Sequence, residues 1–205
     1  PVIADVFISL YDTLCFDRKK YKPASLMGRF FHWIDQLTCQ LADRVVVDTG
    51  THAEYFHQEF GVPQQKLRHF FIGCAENTFF PVAEPSVPGK VLFYGSFLPV
   101  HGLETIVSAA HLLRNHPEIQ FRFVGSGRLQ NQIEAQIRSL NLTNITLTPF
   151  VPVHQLPQEI AAAEICLGGH FSGVPKAQRV IAGKTFQSLA MAKPTIVGDN
   201  PANRE

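Results

Sequence analysis

The chain has 205 residues, 45% of them apolar, 17% charged and 11% aromatic, with a formal net charge of +1. Such a composition can bury a sizeable core as one large or two small domains, which excludes a disordered or fibrous chain. The near-zero net charge, with no basic run longer than Arg18-Lys19-Lys20, argues against nucleic acid as a partner.

No apolar run reaches the roughly 18 residues that cross a bilayer, and the start does not resemble a signal peptide. Cys15, Cys39, Cys74 and Cys166 stand far apart without zinc-site or redox spacing, so they read as buried reduced thiols. Cytoplasmic residence is the expectation. The chain opens at Pro1 directly in an apolar run and stops at Glu205 just after a strand and turn, as a fragment of a longer protein would.

In chain order, strands are predicted at 3–10, 44–48, 67–72, 90–95, 119–124, 145–148, 164–167 and 195–197. Their alternation with helical periodicity marks an α/β fold of parallel sheets covered by helices. Leu26, Phe30, Trp33, Ile34, Leu37 and Leu41 share one helical face, which predicts an amphipathic helix over 25–42 with Trp33 in the core. Leu103, Ile106, Val107, Ala110 and Leu113 predict a second helix, and Ile133, Ile137 and Leu140 a third. The proline-rich stretch around 80–89 predicts an extended connection. The division is therefore 1–83, a linker at 84–89, and 90–205. Three strands precede the linker, too few for a complete Rossmann-like half, and five follow it.

Ligands of open parallel sheets sit beyond the carboxyl ends of the strands, so the loops after strands are the places to look. Tyr11 and Asp12 follow the first strand, where an acid or tyrosine orients or deprotonates a hydroxyl; an Asp turn is the alternative. Asp48-Thr49-Gly50-Thr51 opens a helix, with a threonine as its natural cap. His52 and His57, five residues apart, do not share a face as a helical zinc pair would. Gly95 and Ser96 follow the fourth strand, and Gly95 lets backbone approach a diphosphate closely. His101 ends that loop as a hydrogen-bonding side chain for phosphate or sugar, strongest when protonated, or else as a surface histidine.

Phe123 to Gly127 repeats the glycine pattern, but Gln130 stands where GxGxxG needs its last glycine, which argues against NAD. Phe150 and Val151 offer an apolar surface to a flat base, or anchor a loop. His170, Lys176 and Arg179 lie in a glycine-rich loop before the last helix. Lys184 and Thr185, directly after Gly183, begin that helix, where free N–H groups favour a phosphate; a solvated lysine is the alternative. Gln187, one turn on, supplies a neutral acceptor.

The run Lys184-Thr185-Phe186-Gln187, continued by Leu189-Ala190-Met191 and Lys193-Pro194, resembles the donor-binding helix of the family 4 glycosyltransferases. These are retaining, nucleotide-sugar-dependent enzymes of the GT-B fold. Family members carry a Glu-x7-Glu motif here, whereas this chain has Arg179 and Gln187 at those places; the stretch from Lys176 to Lys184 is similar to a polysaccharide-biosynthesis subset that lacks the first acid. The resemblance implies two Rossmann-like domains, the N-terminal one incomplete here, with the active site between them. It implies transfer of a hexose-type sugar from a UDP or GDP sugar to a glycan or lipid-linked acceptor, with no metal and no cofactor, and a peripheral position at the inner face of a membrane. Tyr11, Asp12, His101 and His170 then fall in catalytic places. Gly95, Ser96, Phe150, Val151, Lys176, Arg179, Lys184, Thr185 and Gln187 fall in donor-binding ones. A sugar-nucleotide epimerase and a noncatalytic nucleotide-binding fragment remain open as alternatives.

Overall fold

All eight predicted strands form, and they assemble into two parallel sheets. The computed structural model describes residues 1–83 and 85–205; Glu84, with which the expected 84–89 connection begins, lies outside the described residues. The chain divides into two units. One comprises Pro1–Ile72, Gly173–Ile181 and Asp199–Glu205; the other comprises Gly73–Ser172 and Ala182–Gly198. Each therefore draws on separated stretches of sequence.

The first unit holds a sheet of order β1 (Ile3–Asp5), β2 (Arg44–Val47) and β3 (Leu67–His69), all parallel. The first strand is shorter than predicted: the chain leaves the sheet after Asp5, residues Ser9, Leu10 and Tyr11 turn to bond Asp35, and a π-helical turn follows at Asp12–Asp17. Helix α1 (Leu26–Leu41) links β1 to β2, and α2 (Gly50–Phe60) links β2 to β3. Ser25 caps α1 by accepting from Gly28 N at 3.1 Å. Thr49 caps α2 by accepting from His52 N at 2.9 Å, and Gly61 ends α2 in the left-handed conformation that glycine adopts without strain. Val45, Val47, Phe56 and Phe60 form the fully buried centre. The paired Asp48 and His52, 2.6 Å apart, are buried beside it, and His57 Nδ1 meets Val62 O at 2.8 Å.

Helix α1 corrects the sequence reading. Its buried residues are Gly28, Asp35 and Cys39, while Leu26, Phe30, Trp33 and Leu41 are exposed. Periodicity located a stripe correctly but cannot say which way it faces. The opposite face is the one Asp35 ties down, receiving Ser9 Oγ at 2.7 Å and the backbone N–H of Tyr11 at 2.9 Å.

The second unit holds five parallel strands in the order β6 (Ile145–Thr148), β5 (Gln120–Val124), β4 (Lys90–Tyr94), β7 (Ile165–Leu167) and β8 (Thr195–Ile196). Side chains alternate across a strand, so β4 sends Val91 and Phe93 to one core and Leu92 and Tyr94 to the other. The first core is closed by α3 (Leu103–Leu112) and α4 (Gln130–Ser139); the second takes Ile160 and Ala161 from α5 (Leu156–Ala161), with Ala190 of α6 (Gly183–Ala190) packed against it. The strand order reverses between β4 and β7, the kind of position at which open α/β sheets form a ligand crevice. Among the described residues no helix is long and apolar enough to cross a membrane.

Candidate functional site

In the second unit, residues following two strands, β4 and β7, converge on one ammonium group. Lys184, on the first turn of α6, is only 7% exposed. Its Nζ lies 3.0 Å from His101 Nδ1 and 4.9 Å from the Phe93 ring centre. Gly95, just beyond β4, makes room for it: a Cβ there would stand 3.3 Å from Lys184 Cε and 3.5 Å from Nζ. Gly169, after β7, borders the same group: a Cβ there would stand 4.0 Å from Nζ. His170 stacks on His101, with ring centres 5.1 Å apart and the two Nδ1 atoms 3.2 Å apart.

Burial without a compensating acid controls the protonation of this cluster. It pushes the Lys184 ammonium down to about 7, and among the described residues no carboxylate pairs with it. Burial, the neighbouring Lys184 and His170 push His101 down to about 2. The expectation that protonation strengthens His101 therefore gives way: its imidazole is neutral at physiological pH. With Nδ1 accepting from Lys184, the ring proton belongs on Nε2, the nitrogen nearest the place a Gly95 Cβ would occupy, at 4.0 Å.

Helix α6 adds the second element of an anion site. Its N-cap, Ala182, offers no side-chain acceptor, so the first N–H groups keep their partial positive charge. Thr185 is buried and its Oγ1 has no hydrogen-bond partner among the described residues. The helix start packs closely because Gly168 lacks a side chain; a Cβ there would fall 2.6 Å from Thr185 Oγ1. The start of α2 in the first unit is filled by contrast. There Glu205 accepts from Gly50 N and Thr51 N, each at 2.7 Å. Burial alone would raise its carboxyl pKa, but hydrogen bonds from Thr51 and Gly50 carry it below the ordinary value.

Other expected donor-site residues have mixed surroundings. Ser96 is exposed beside Gly95, Phe150 is 67% exposed, and Val151 packs partly against the second core. Gln187 already accepts from the Tyr94 hydroxyl at 3.1 Å. The glycines of 123–127 serve the backbone: a Cβ on Gly125 would lie 2.1 Å from Gly95 O, and one on Gly127 2.7 Å from Phe97 N.

Lys176 and Arg179 belong to the first unit. Arg179 Nη2 bonds Asp12 Oδ1 at 2.6 Å, with Asp12 only 2% exposed, and the guanidinium lies 3.8 Å over the Tyr55 ring. Thr49 Oγ1 donates to Arg179 O, and Lys176 Nζ donates to Thr13 Oγ1 at 3.3 Å. Asp12 is thus the buried partner of an arginine, a pairing that uses its acceptor oxygen. Tyr11 is a core ring, edge-on to Phe16, His32 and Phe60, and burial, Glu59 and Cys15 raise its hydroxyl pKa. Sequence reasoning missed Tyr55, whose helix position gave no signal beyond its aromatic character. Among the described residues no three His, Cys, Asp or Glu side chains gather as a metal-binding set.

Residues 75–172 match the family described as glycosyl transferases group 1, a stretch that includes Gly95, His101 and His170 and ends before Lys184. No curated protein matches the chain. Among solved structures, HepE of Anabaena in complex with UDP is similar at 15% identity and a TM-score of 0.75, over 100% of this chain and 55% of that one. Sucrose-phosphate synthase of Thermosynechococcus elongatus is similar at 22% identity and a TM-score of 0.70, over 97% and 50%. The pneumococcal O-GlcNAc transferase GtfA in complex with UDP and GlcNAc follows at 16% and 0.65, over 84% and 33%. The fold is that of GT-B glycosyltransferases, and the chain spans between a third and just over half of these relatives.

Proposed function

We propose that this chain carries the nucleotide-sugar-binding part of a GT-B glycosyltransferase of the family 4 kind. In this reading the enzyme acts in the cytoplasm in polysaccharide biosynthesis, moving a hexose-type sugar from UDP or GDP to a glycan or lipid-linked acceptor with retention of configuration. One observation carries it: a buried Lys184 that pairs with no carboxylate among the described residues, at the uncapped start of α6 and flanked by Gly95 and Gly169. Such a site lacks an anion, and a diphosphate supplies one. The group 1 match and the UDP held by two similar structures support the same ligand class.

The diphosphate lies against the first N–H groups of α6, with Lys184 opposite its charge and Thr185 donating a hydroxyl. His101 donates from Nε2 to a phosphate or sugar oxygen, and His170 holds the His101 ring by stacking. Gly95 and Ser96 border the diphosphate, Gln187 faces the ribose, and Phe150 and Val151 meet the base. As the anomeric carbon–oxygen bond breaks, charge grows on the departing diphosphate, where the lysine and helix start stabilise it without a metal ion. The acceptor oxygen bonds the same face of the sugar, and its proton passes to the leaving phosphate.

Titration calorimetry with UDP and GDP tests the reading on the wild type and Lys184→Met. At least one nucleotide binds the wild type, and the variant binds it at least about thirtyfold more weakly, the scale for removing one partner of a buried charge pair. Equal affinity of the two proteins, or no binding of either nucleotide, overturns it.

A further inference from the structure

Tyr94 ends β4 immediately before Gly95 and is 5% exposed. Its hydroxyl reaches across to α6, where Lys184 O and Gln187 Oε1 each lie at 3.1 Å and Ser188 Oγ at 3.4 Å. Burial raises the Tyr94 pKa above its ordinary value, so the phenol keeps its single proton. That proton serves one acceptor at a time. The helix gives Lys184 O the N–H of Ser188 as a partner, and Ser188 Oγ can donate as well as accept. Gln187 Oε1 has no other donor among the described residues, and the phenol proton belongs there.

The consequence is an amide held in one orientation. The acceptor expected of Gln187 is already engaged by Tyr94, and the planar amide places Nε2 on the other side of its carbon, so what remains for a ligand is a pair of N–H donors. Gln187 stands one helical turn beyond Lys184, on the same face of α6, and is half-buried. A free glutamine side chain samples many rotamers and both amide orientations, and ordering it opposes binding. Tyr94 orders it before the ligand arrives.

We infer that Tyr94 is a positioning residue: it fixes Gln187 so that the amide Nε2 meets the ribose hydroxyl oxygens of the nucleotide, and thereby sets a preference for ribonucleotides. The inference rests on the nucleotide-sugar reading above and adds to it a residue that acts without touching the ligand.

Calorimetry on the full chain compares UDP and GDP with their 2′,3′-dideoxy analogues, which keep base and diphosphate but lack both hydroxyls. For whichever nucleotide binds, the wild type prefers the ribonucleotide by at least about fivefold, the scale of one neutral hydrogen bond. Tyr94→Phe, which removes only the hydroxyl, brings that preference below about twofold. Gln187→Met does the same, and adding Tyr94→Phe to it changes the ratio no further. The ratio compares two ligands on one protein, so a loss of folded material lowers both affinities together and leaves it unmoved. A Tyr94→Phe protein that keeps the wild-type preference overturns the inference, and so does a wild type that binds a ribonucleotide and its dideoxy analogue equally; in both cases the diphosphate reading stands. Loss of every nucleotide by Tyr94→Phe overturns it too, assigning the hydroxyl to holding α6 as a whole. No binding of either nucleotide by the wild type overturns the nucleotide reading and this inference with it.

Discussion

Asp12–Arg179 and Lys184 meet the same problem, a cation withdrawn from water, in opposite ways. In the first unit Arg179 has its carboxylate at 2.6 Å and a tyrosine ring beneath it. In the second unit Lys184 has, among the described residues, the neutral His101 imidazole, the Phe93 ring and two glycines around it, and no carboxylate. A compensated charge serves the fold. An uncompensated one weakens the fold until something anionic arrives, and so points to a ligand.

Breaking the compensated pair gives the largest effect. Asp12→Asn leaves a buried guanidinium without its counter-charge and costs about 3 kcal/mol, measured by urea unfolding followed through Trp33 emission, which reports on the first unit. Nucleotide affinity does not change. An Asp12→Asn, Arg179→Met double variant recovers part of the loss, whereas additive losses contradict the pairing.

The uncompensated cation predicts the reverse. Lys184→Met weakens nucleotide binding at least about thirtyfold yet does not lower the melting temperature, because it removes a desolvated charge. The pH dependence follows with a definite sign. The folded pKa of Lys184, about 7, lies below its ordinary value of 10.5, so between those values the unfolded chain binds the extra proton. Stability from this group is full above pH 10.5 and falls away as pH drops to 7. The difference between wild type and Lys184→Met therefore shifts in favour of the wild type as pH rises from 7 to 10.5, and against it as pH falls. A bound diphosphate restores the charge, so calorimetry at pH 8 in buffers of unlike ionisation enthalpy shows uptake approaching one proton per nucleotide. Zero uptake contradicts the arrangement.

Gly95→Ala sharpens the comparison further. It puts a Cβ against Lys184 at a backbone φ of +133°, and costs about tenfold in nucleotide affinity with roughly 1–2 kcal/mol of stability. Phe150→Ala is the smallest change. The exposed ring contributes within about 0.5 kcal/mol to stability, and its loss lowers nucleotide affinity a few fold through the base alone.

What was legible in the sequence follows from the range of each interaction. The strands were readable because apolar runs and helical periodicity are local patterns, and Lys184 was readable because glycine, cation and helix start stand together in the chain. The partner of Arg179 was not readable, since Asp12 lies 167 positions away. Adjacency in sequence likewise does not report that Lys176 and Arg179 fold with the first unit while Lys184 folds with the second. Tyr11 was taken as a site residue because a tyrosine after a strand looks alike whether it points to solvent or core. The outward stripe of α1 is the same ambiguity at helix scale, and only Asp35 on the other face resolves it.

Glu205 at the start of α2 gives the chain an internal stopper. Its carboxylate occupies the mouth of that helix and gives the free N–H groups of Gly50 and Thr51 an acceptor. Glu205→Ala would uncork that mouth and return its donors to water, loosening the first turn of α2 by about 1 kcal/mol, as the loss of a helix cap does.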